Sequence, residues 1–254
     1  MKTKKTTKKQ TGKAARVIYC KDKTGSITYT TDGKFLYAQI DNGGEIRLDL
    51  FDNHYYKLRI YNEIPILEID GLRMQLVKGF KTPLEYAEKV VAGLSIPSNG
   101  QHVILDTCMG LGYTAIQAAK SPGIGTVLTC EIAEAVFTLA KWNPLSDGLW
   151  ENGTKILPIH GDVAELIKTF DSRMFSFVIH DPPRFSHAPQ LYSSDFYKEL
   201  HRVCKSNAKI FHYVGSVGKG KGRNIEKEVA GRLSNVGFKK IKYVSKLQGL
   251  FFSK

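Results

Sequence analysis

Residues 102–131 read HVILDTCMGLGYTAIQAAKSPGIGTVLTCE. An apolar run, His102–Asp106, ends on an acid. A turn carrying Gly110 and Gly112 follows, then a helical segment, Tyr113–Lys120, then a second apolar run, Thr126–Glu131, that again ends on an acid. Strand, glycine turn, helix, strand is the grammar of a crossover between parallel strands. The pattern continues downstream. Strands are expected at Lys155–His160, Phe175–His180, Ala208–Val214 and Phe238–Val244, with a short one near Gly249–Phe252. Helices are expected at Ala133–Trp142, Val163–Phe170, Ser194–Lys205 and Asn224–Asn235. Apolar strands alternating with helices imply an α/β fold, a doubly wound parallel sheet covered on both faces. Upstream, Thr82-Pro83-Leu84-Glu85 is a capping box with Pro at the first helical position, opening a helix that runs to about Leu94.

Before residue 80 the period is two. Ser26–Thr30, Phe35–Ile40, Glu45–Phe51, His54–Tyr61 and Pro65–Val77 read as strands, with Asp32-Gly33 and Asn42-Gly43 as hairpin turns. The expected layout is a basic tail over 1–14, a small antiparallel β domain over 15–80 and the α/β domain over 81–254.

Charge is concentrated at one end. The 254 residues hold 37 Lys and Arg against 24 Asp and Glu, a formal +13, and residues 1–23 alone hold +8. The tail MKTKKTTKKQTGK is low-complexity and reads either as a solvating segment or as an electrostatic arm for phosphates. Cys20, Cys108, Cys130 and Cys204 form no C-x-x-C pair, so neither a disulfide scaffold nor a clustered thiolate metal site is expected. His180, His187, His201 and His212 share no metal-ligand spacing. No apolar run reaches the length of a membrane span and the N-terminus has no secretory signature, so a cytoplasmic protein is expected.

In an open α/β sheet, ligands lie beyond the carboxyl ends of the strands. Those ends carry Asp106, Glu131, Asp162 and Asp181 in turn. Gly110 and Gly112 permit a tight turn and close backbone approach. Glu131, 19 residues beyond Gly112, suits hydrogen bonds to ribose hydroxyls. The register is Asp-x-x-x-Gly-x-Gly rather than G-x-G-x-x-G. An acid there repels a pyrophosphate and suits an amino group.

The runs VILDTCMGLGYTAIQAA, LTCEIAEAVFTLAKWNP, HGDVAEL and VIHDPPRFSH resemble, in order and spacing, the first four motifs of class I S-adenosylmethionine-dependent methyltransferases. The D-T-C-x-G-L-G-Y-T and H-D-P-P-R-F-S runs are closer still to a family of predicted archaeal methyltransferases. That likeness extends from about His54 to the C-terminus, and D-P-P-x-F-S is also similar to bacterial ribosomal RNA methyltransferases. The resemblance implies a Rossmann-like sheet of seven strands, the last antiparallel, with S-adenosyl-L-methionine as cofactor. It implies that Asp106 and the backbone at Gly110 and Gly112 hold the methionine part, that Glu131 binds the ribose and that Asp162 binds the adenine amino group. One position departs: the usual first glycine of the loop is Cys108, read here as a packed, inert thiol.

Asp181-Pro182-Pro183 is the most informative stretch. Enzymes that methylate planar amines carry Asp or Asn, Pro, Pro and an aromatic residue here. An exocyclic base amine delocalises its lone pair and is a poor nucleophile. A side-chain oxygen and the next backbone carbonyl can each accept one N–H and turn the lone pair toward the methyl donor. Here Arg184 takes the fourth position with Phe185 after it, so either Phe185 stacks on the base from one residue later, or Arg184 stacks or grips a phosphate. In the glycine-rich loop after the next strand, Lys219, Lys221 and Arg223 are candidate phosphate contacts.

Rival activities are weighed on the same residues. Cytosine C5 methylation needs a cysteine nucleophile, and none lies in 181–187 or 212–223. Aminopropyl transfer needs an acidic site for a polycation, whereas this face reads as basic. Protein amide methylation goes with Asn-Pro-Pro-aromatic. A non-catalytic RNA-binding or ribosome-assembly module would have lost the cofactor residues. The expectation is methylation of an exocyclic base amine (cytosine N4, guanine N2 or adenine N6) in ribosomal RNA or tRNA.

Overall fold

The structure is a computed structural model describing residues 28–40, 43–215 and 224–254. The basic tail therefore lies outside the described residues.

The antiparallel region forms two sheets. The first holds β1 (Tyr29–Thr31), β2 (Leu36–Gln39) and β3 (Glu45–Arg47). Its Asp32-Gly33 turn forms as expected: Asp32 Oδ1 accepts the Lys34 and Phe35 N–H groups at 2.8 and 2.7 Å, and Gly33 sits at φ 90°. The second sheet holds β4 (Asp49–Asp52), β5 (His54–Tyr61), β6 (Ile64–Ile69) and β7 (Leu72–Arg73). Two expected strands are corrected here. Glu45–Phe51 breaks at buried Leu48, whose N–H donates to Leu36 and whose carbonyl accepts from Leu58, so one residue hands the chain from the first sheet to the second. Pro65–Val77 folds back at Asp70-Gly71, both at positive φ (49° and 80°), a two-residue hairpin turn hidden inside an apolar run.

The helix α1 (Pro83–Leu94) opens on Thr82, whose Oγ1 accepts the Glu85 N–H at 3.2 Å. Glu85 reaches back to the Lys81 N–H at 2.8 Å, one residue before the cap, and the helix buries Tyr86, Ala87, Val90, Val91 and Leu94 along one stripe. Then come β8 (His102–Asp106), α2 (Tyr113–Ala119), β9 (Ile124–Glu131), α3 (Glu134–Lys141), β10 (Ile156–His160) and α4 (Val163–Thr169). The chain closes with β11 (Phe175–His180), α5 (Ser194–Val203), β12 (Cys204–Tyr213), α6 (Ile225–Val236), β13 (Lys239–Val244) and β14 (Gly249–Ser253).

The seven strands order as β10-β9-β8-β11-β12-β14-β13. The first five pair in parallel, and β14 runs antiparallel to both neighbours. This is the Rossmann-like arrangement implied by the motifs. Successive residues face opposite sides of the sheet. Ile104, Val127, Phe177 and Phe211 enter one buried cluster, and Leu105, Leu128, Val178 and Ile210 enter the other. The first cluster also contains Tyr29, Leu48, Leu58 and Leu67, so the small sheets share a core with the α/β half. Tyr113 of α2 pins them from below, its hydroxyl donating to the Pro65 carbonyl at 2.7 Å.

Candidate active site

Parallel strands bring β8, β9, β10, β11 and β12 to one edge, so the residues just past their ends converge. Asp106 is fully buried there. It accepts the Thr129 hydroxyl at 2.7 Å and the Thr114 hydroxyl at 3.4 Å, and burial pushes its carboxyl up to about 8, with the charges of Asp181 and Glu131 adding to the rise. Gly110 and Gly112 are both left-handed, at φ 53° and 75°, a conformation that glycine adopts without a Cβ clash.

Glu131 ties the loop to the sheet. Its Oε2 accepts the Gly110 N–H at 3.0 Å and its Oε1 the Ala133 N–H at 3.1 Å. Burial still raises its carboxyl above the usual range, against the pull of those bonds. Beside it Ile132 is 61% exposed, an apolar side chain next to a buried acid. Asp162 does something the sequence reading did not assign it: Oδ1 caps α4 by accepting the Ala164 N–H at 2.8 Å. The half-buried Cys108 sulfur accepts the Thr107 hydroxyl at 3.7 Å, and burial pushes the thiol well up.

Asp181 stands past the end of β11, partly enclosed, and burial lifts its carboxyl to about 7. The buried Tyr86 hydroxyl of α1 completes no hydrogen bond within normal limits. Asp181 is the charge it feels most, and the phenol's dipole in turn lowers Asp181. Tyr192 donates to the Pro183 carbonyl at 2.9 Å, while no described residue donates to that of Pro182. Pro182, Pro183 and Arg184 line a narrow recess with Tyr213. Phe185 lies outside that lining; it packs edge-on against Tyr192 at 5.5 Å and stays 40% exposed. Lys219, Lys221 and Arg223 lie outside the described residues.

Sequence reasoning missed five contributors. Tyr86 and Tyr192 read as ordinary helix and turn residues. Gln75, just after β7, accepts the Leu67 N–H at 2.7 Å and turns its amide toward Gly110; a Cβ at that glycine would stand 3.7 Å from Gln75 Nε2. Beneath Asp181 lie two buried imidazoles, His180 and His212, with ring centroids 4.3 Å apart. His180 is held by the Thr107 hydroxyl at 2.7 Å and the Leu191 carbonyl at 2.9 Å. The Tyr197 hydroxyl meets His212 Nε2 at 2.8 Å.

No family model matches the chain. The uncharacterized protein MJ1233 of Methanocaldococcus jannaschii is 41% identical over 227 residues, which cover 89% of this chain and 73% of that protein. The chain belongs to the family of this archaeal protein. Among solved structures, a spermidine synthase in complex with the transition-state analogue AdoDATO matches with a TM-score of 0.67 at 14% identity, over 88% of this chain and 81% of that one. The Thermotoga maritima spermidine synthase gives 0.64 at 15%, over 88% and 80%. A probable spermidine synthase from Corynebacterium glutamicum gives 0.59 at 11%, over 81% and 79%. At such identities the likeness is one of fold. In the first two its coverage runs beyond the seven-stranded sheet into the antiparallel ones.

Proposed function

We propose that this family member is an S-adenosylmethionine-dependent methyltransferase acting on an exocyclic base amine of RNA, in ribosomal RNA or tRNA. The observation that carries the reading is the placement of Asp181-Pro182-Pro183. The triplet stands at the strand edge that also holds Asp106 and Glu131, with the Pro183 carbonyl fixed by Tyr192 and that of Pro182 left free.

The cofactor fits the donor set. Three carboxyls gather at one edge, and no described lysine or arginine forms an ion pair with any of them. Such a cluster favours a ligand that brings positive charge and hydroxyl donors. Asp106 and the loop backbone would hold the methionine part, Glu131 the ribose, and the Asp162 oxygen not used in capping the adenine amine. S-adenosylmethionine supplies, when bound, a methyl group on a cationic sulfur. The chain's own residues prepare the acceptor. Asp181 takes one N–H of the amine and the Pro182 carbonyl the other, and Tyr86 steadies the Asp181 carboxylate. The rigid prolines keep both acceptors in place, so positioning and preorganised charge supply the rate enhancement.

A second reading is supported by the same acidic edge. Asp181, whose charge reaches the phenols of Tyr86, Tyr192 and Tyr213, also suits one amine of a polyamine. One experiment separates the two. Labelled S-adenosylmethionine is offered to RNA and protein fractions from cells lacking the gene, and decarboxylated S-adenosylmethionine is offered to diamines in parallel. Label in RNA that vanishes with Asp181→Ala supports the proposal. Label only in protein favours amide methylation, and turnover only with diamines replaces methyl transfer by aminopropyl transfer.

A further inference from the structure

The recess beside Asp181 has two walls of different origin. Arg73, the last residue of β7, comes from the small antiparallel sheet with Leu72 and Met74 beside it, whereas Arg184 and His187 come from the loop after β11; Pro182, Pro183 and Tyr213 complete it. Both arginines are exposed, and neither pairs with a carboxylate of any described residue. Three other described arginines hold an acid: Arg47 pairs with Asp49, Arg202 with Glu199 at 2.8 Å, and Arg232 faces Glu228 at 3.7 Å. The acid whose field reaches His187 is Asp70, which is already engaged by the Tyr55 N–H at 2.9 Å and by His54. Two guanidinium groups sharing a recess without a counter-charge repel each other, and an anion between them removes the repulsion. Guanidinium forks match phosphate oxygens two at a time.

Building on the RNA reading above, we propose that Arg73 and Arg184 together clamp one backbone phosphate of the RNA next to the target base. The β6–β7 hairpin is then part of the substrate site. It holds the strand while Asp181 holds the base. Arg47 and Lys57 of the small sheets do not share this role, since they are committed to Asp49 and Glu68.

The test is fluorescence anisotropy with a labelled single-stranded RNA 15-mer of mixed sequence, titrated with full-length protein across a range of KCl concentrations. Thermal unfolding and S-adenosylmethionine binding establish that each variant is folded. Arg73→Gln and Arg184→Gln should each weaken binding roughly 3- to 10-fold and flatten the salt slope by about 0.7. The double variant should lose less than the two singles combined, because both act on one phosphate. Arg73→Lys should keep the slope and lose affinity, and Arg47→Gln should match wild type. An unchanged slope for Arg73→Gln, or additive losses in the double variant, overturns the clamp while leaving the methyltransferase reading intact. Wild-type protein that binds no RNA and methylates another acceptor overturns the RNA reading and the clamp with it.

Discussion

Two buried titratable clusters lie against each other at the strand edge, and burial drives them in opposite directions. Asp106, Glu131 and Asp181 are pushed up, the two aspartates to about 8 and about 7. His180 and His212, one layer deeper, are pushed down, His180 to about 4. In both cases the low dielectric disfavours the charged form. The difference lies in what each cluster faces. The carboxyls open toward the loop and the recess, where an arriving cation restores their charge. The imidazoles are sealed between Thr107, Tyr197, Phe196 and Tyr192, and serve as neutral, hydrogen-bonded packing.

The sharpest way to break this contrast is to remove the acceptor. Asp181→Ala should lower single-turnover methyl transfer about 10²- to 10³-fold, the usual loss for a preorganised transition-state group. S-adenosylmethionine affinity should change little. Retention of wild-type turnover would take Asp181 out of the mechanism and leave its raised carboxyl as an accident of burial.

The imidazole layer should show itself in stability. An unfolded histidine titrates near 6.5 and His180 in the fold near 4, so its contribution is present above about 6.5 and lost as pH falls toward 4, in all about 3 kcal/mol. Asp106 and Asp181 act the other way. Their folded values exceed the unfolded 3.8, so the neutral acids favour the fold at low pH and that advantage fades as pH rises through about 7 and 8. Between about 4 and 6.5 one imidazole opposes two carboxyls, so these three groups together make stability in urea unfolding fall as pH rises, more steeply above about 6.5 and levelling off above about 8. Asp106→Asn should remove much of the alkaline fall. A wild-type curve that keeps climbing to pH 9 would contradict the assignment of the raised carboxyls.

Tyr86 offers a smaller test of how the acids are tuned. Methyl transfer should rise with pH through about 7 as Asp181 ionises. The Tyr86 phenol lowers Asp181, so Tyr86→Phe should move that limb to higher pH by under about one unit and cut the rate at neutral pH several-fold. A packing role alone would leave the limb where it is.

Much of this was legible from residues alone, for particular reasons. The α/β half announces itself because its central strands are apolar on both faces and α1 begins on a recognisable cap, so Pro83–Leu94 and Phe175–His180 are found to the residue. The acids at the strand ends follow from the parallel topology. What escaped was every contact made across the chain. Gln75 over Gly110, Tyr86 beside Asp181 and Arg73 opposite Arg184 join the small sheets and α1 to strand ends far away in sequence, and no local period encodes such meetings. The break at Leu48 and the Asp70-Gly71 reversal were hidden for another reason. In an antiparallel region an apolar alternation continues across a turn when both arms face the same core.

Asp162 shows how one acid can satisfy two readings, and how to part them. As the cap of α4 it uses Oδ1, and replacement by Ala should lower stability by about 1 kcal/mol in urea unfolding. Ser keeps a capping oxygen and loses the second acceptor. If Asp162 also holds the adenine amine, Asp162→Ser should restore stability while S-adenosylmethionine binding stays several-fold weaker than wild type. A competing nucleoside lacking that amino group should then bind both proteins alike. Full recovery of affinity in the Ser variant would reduce Asp162 to a helix cap, leaving Glu131 as the acid of that half of the site that faces the ligand.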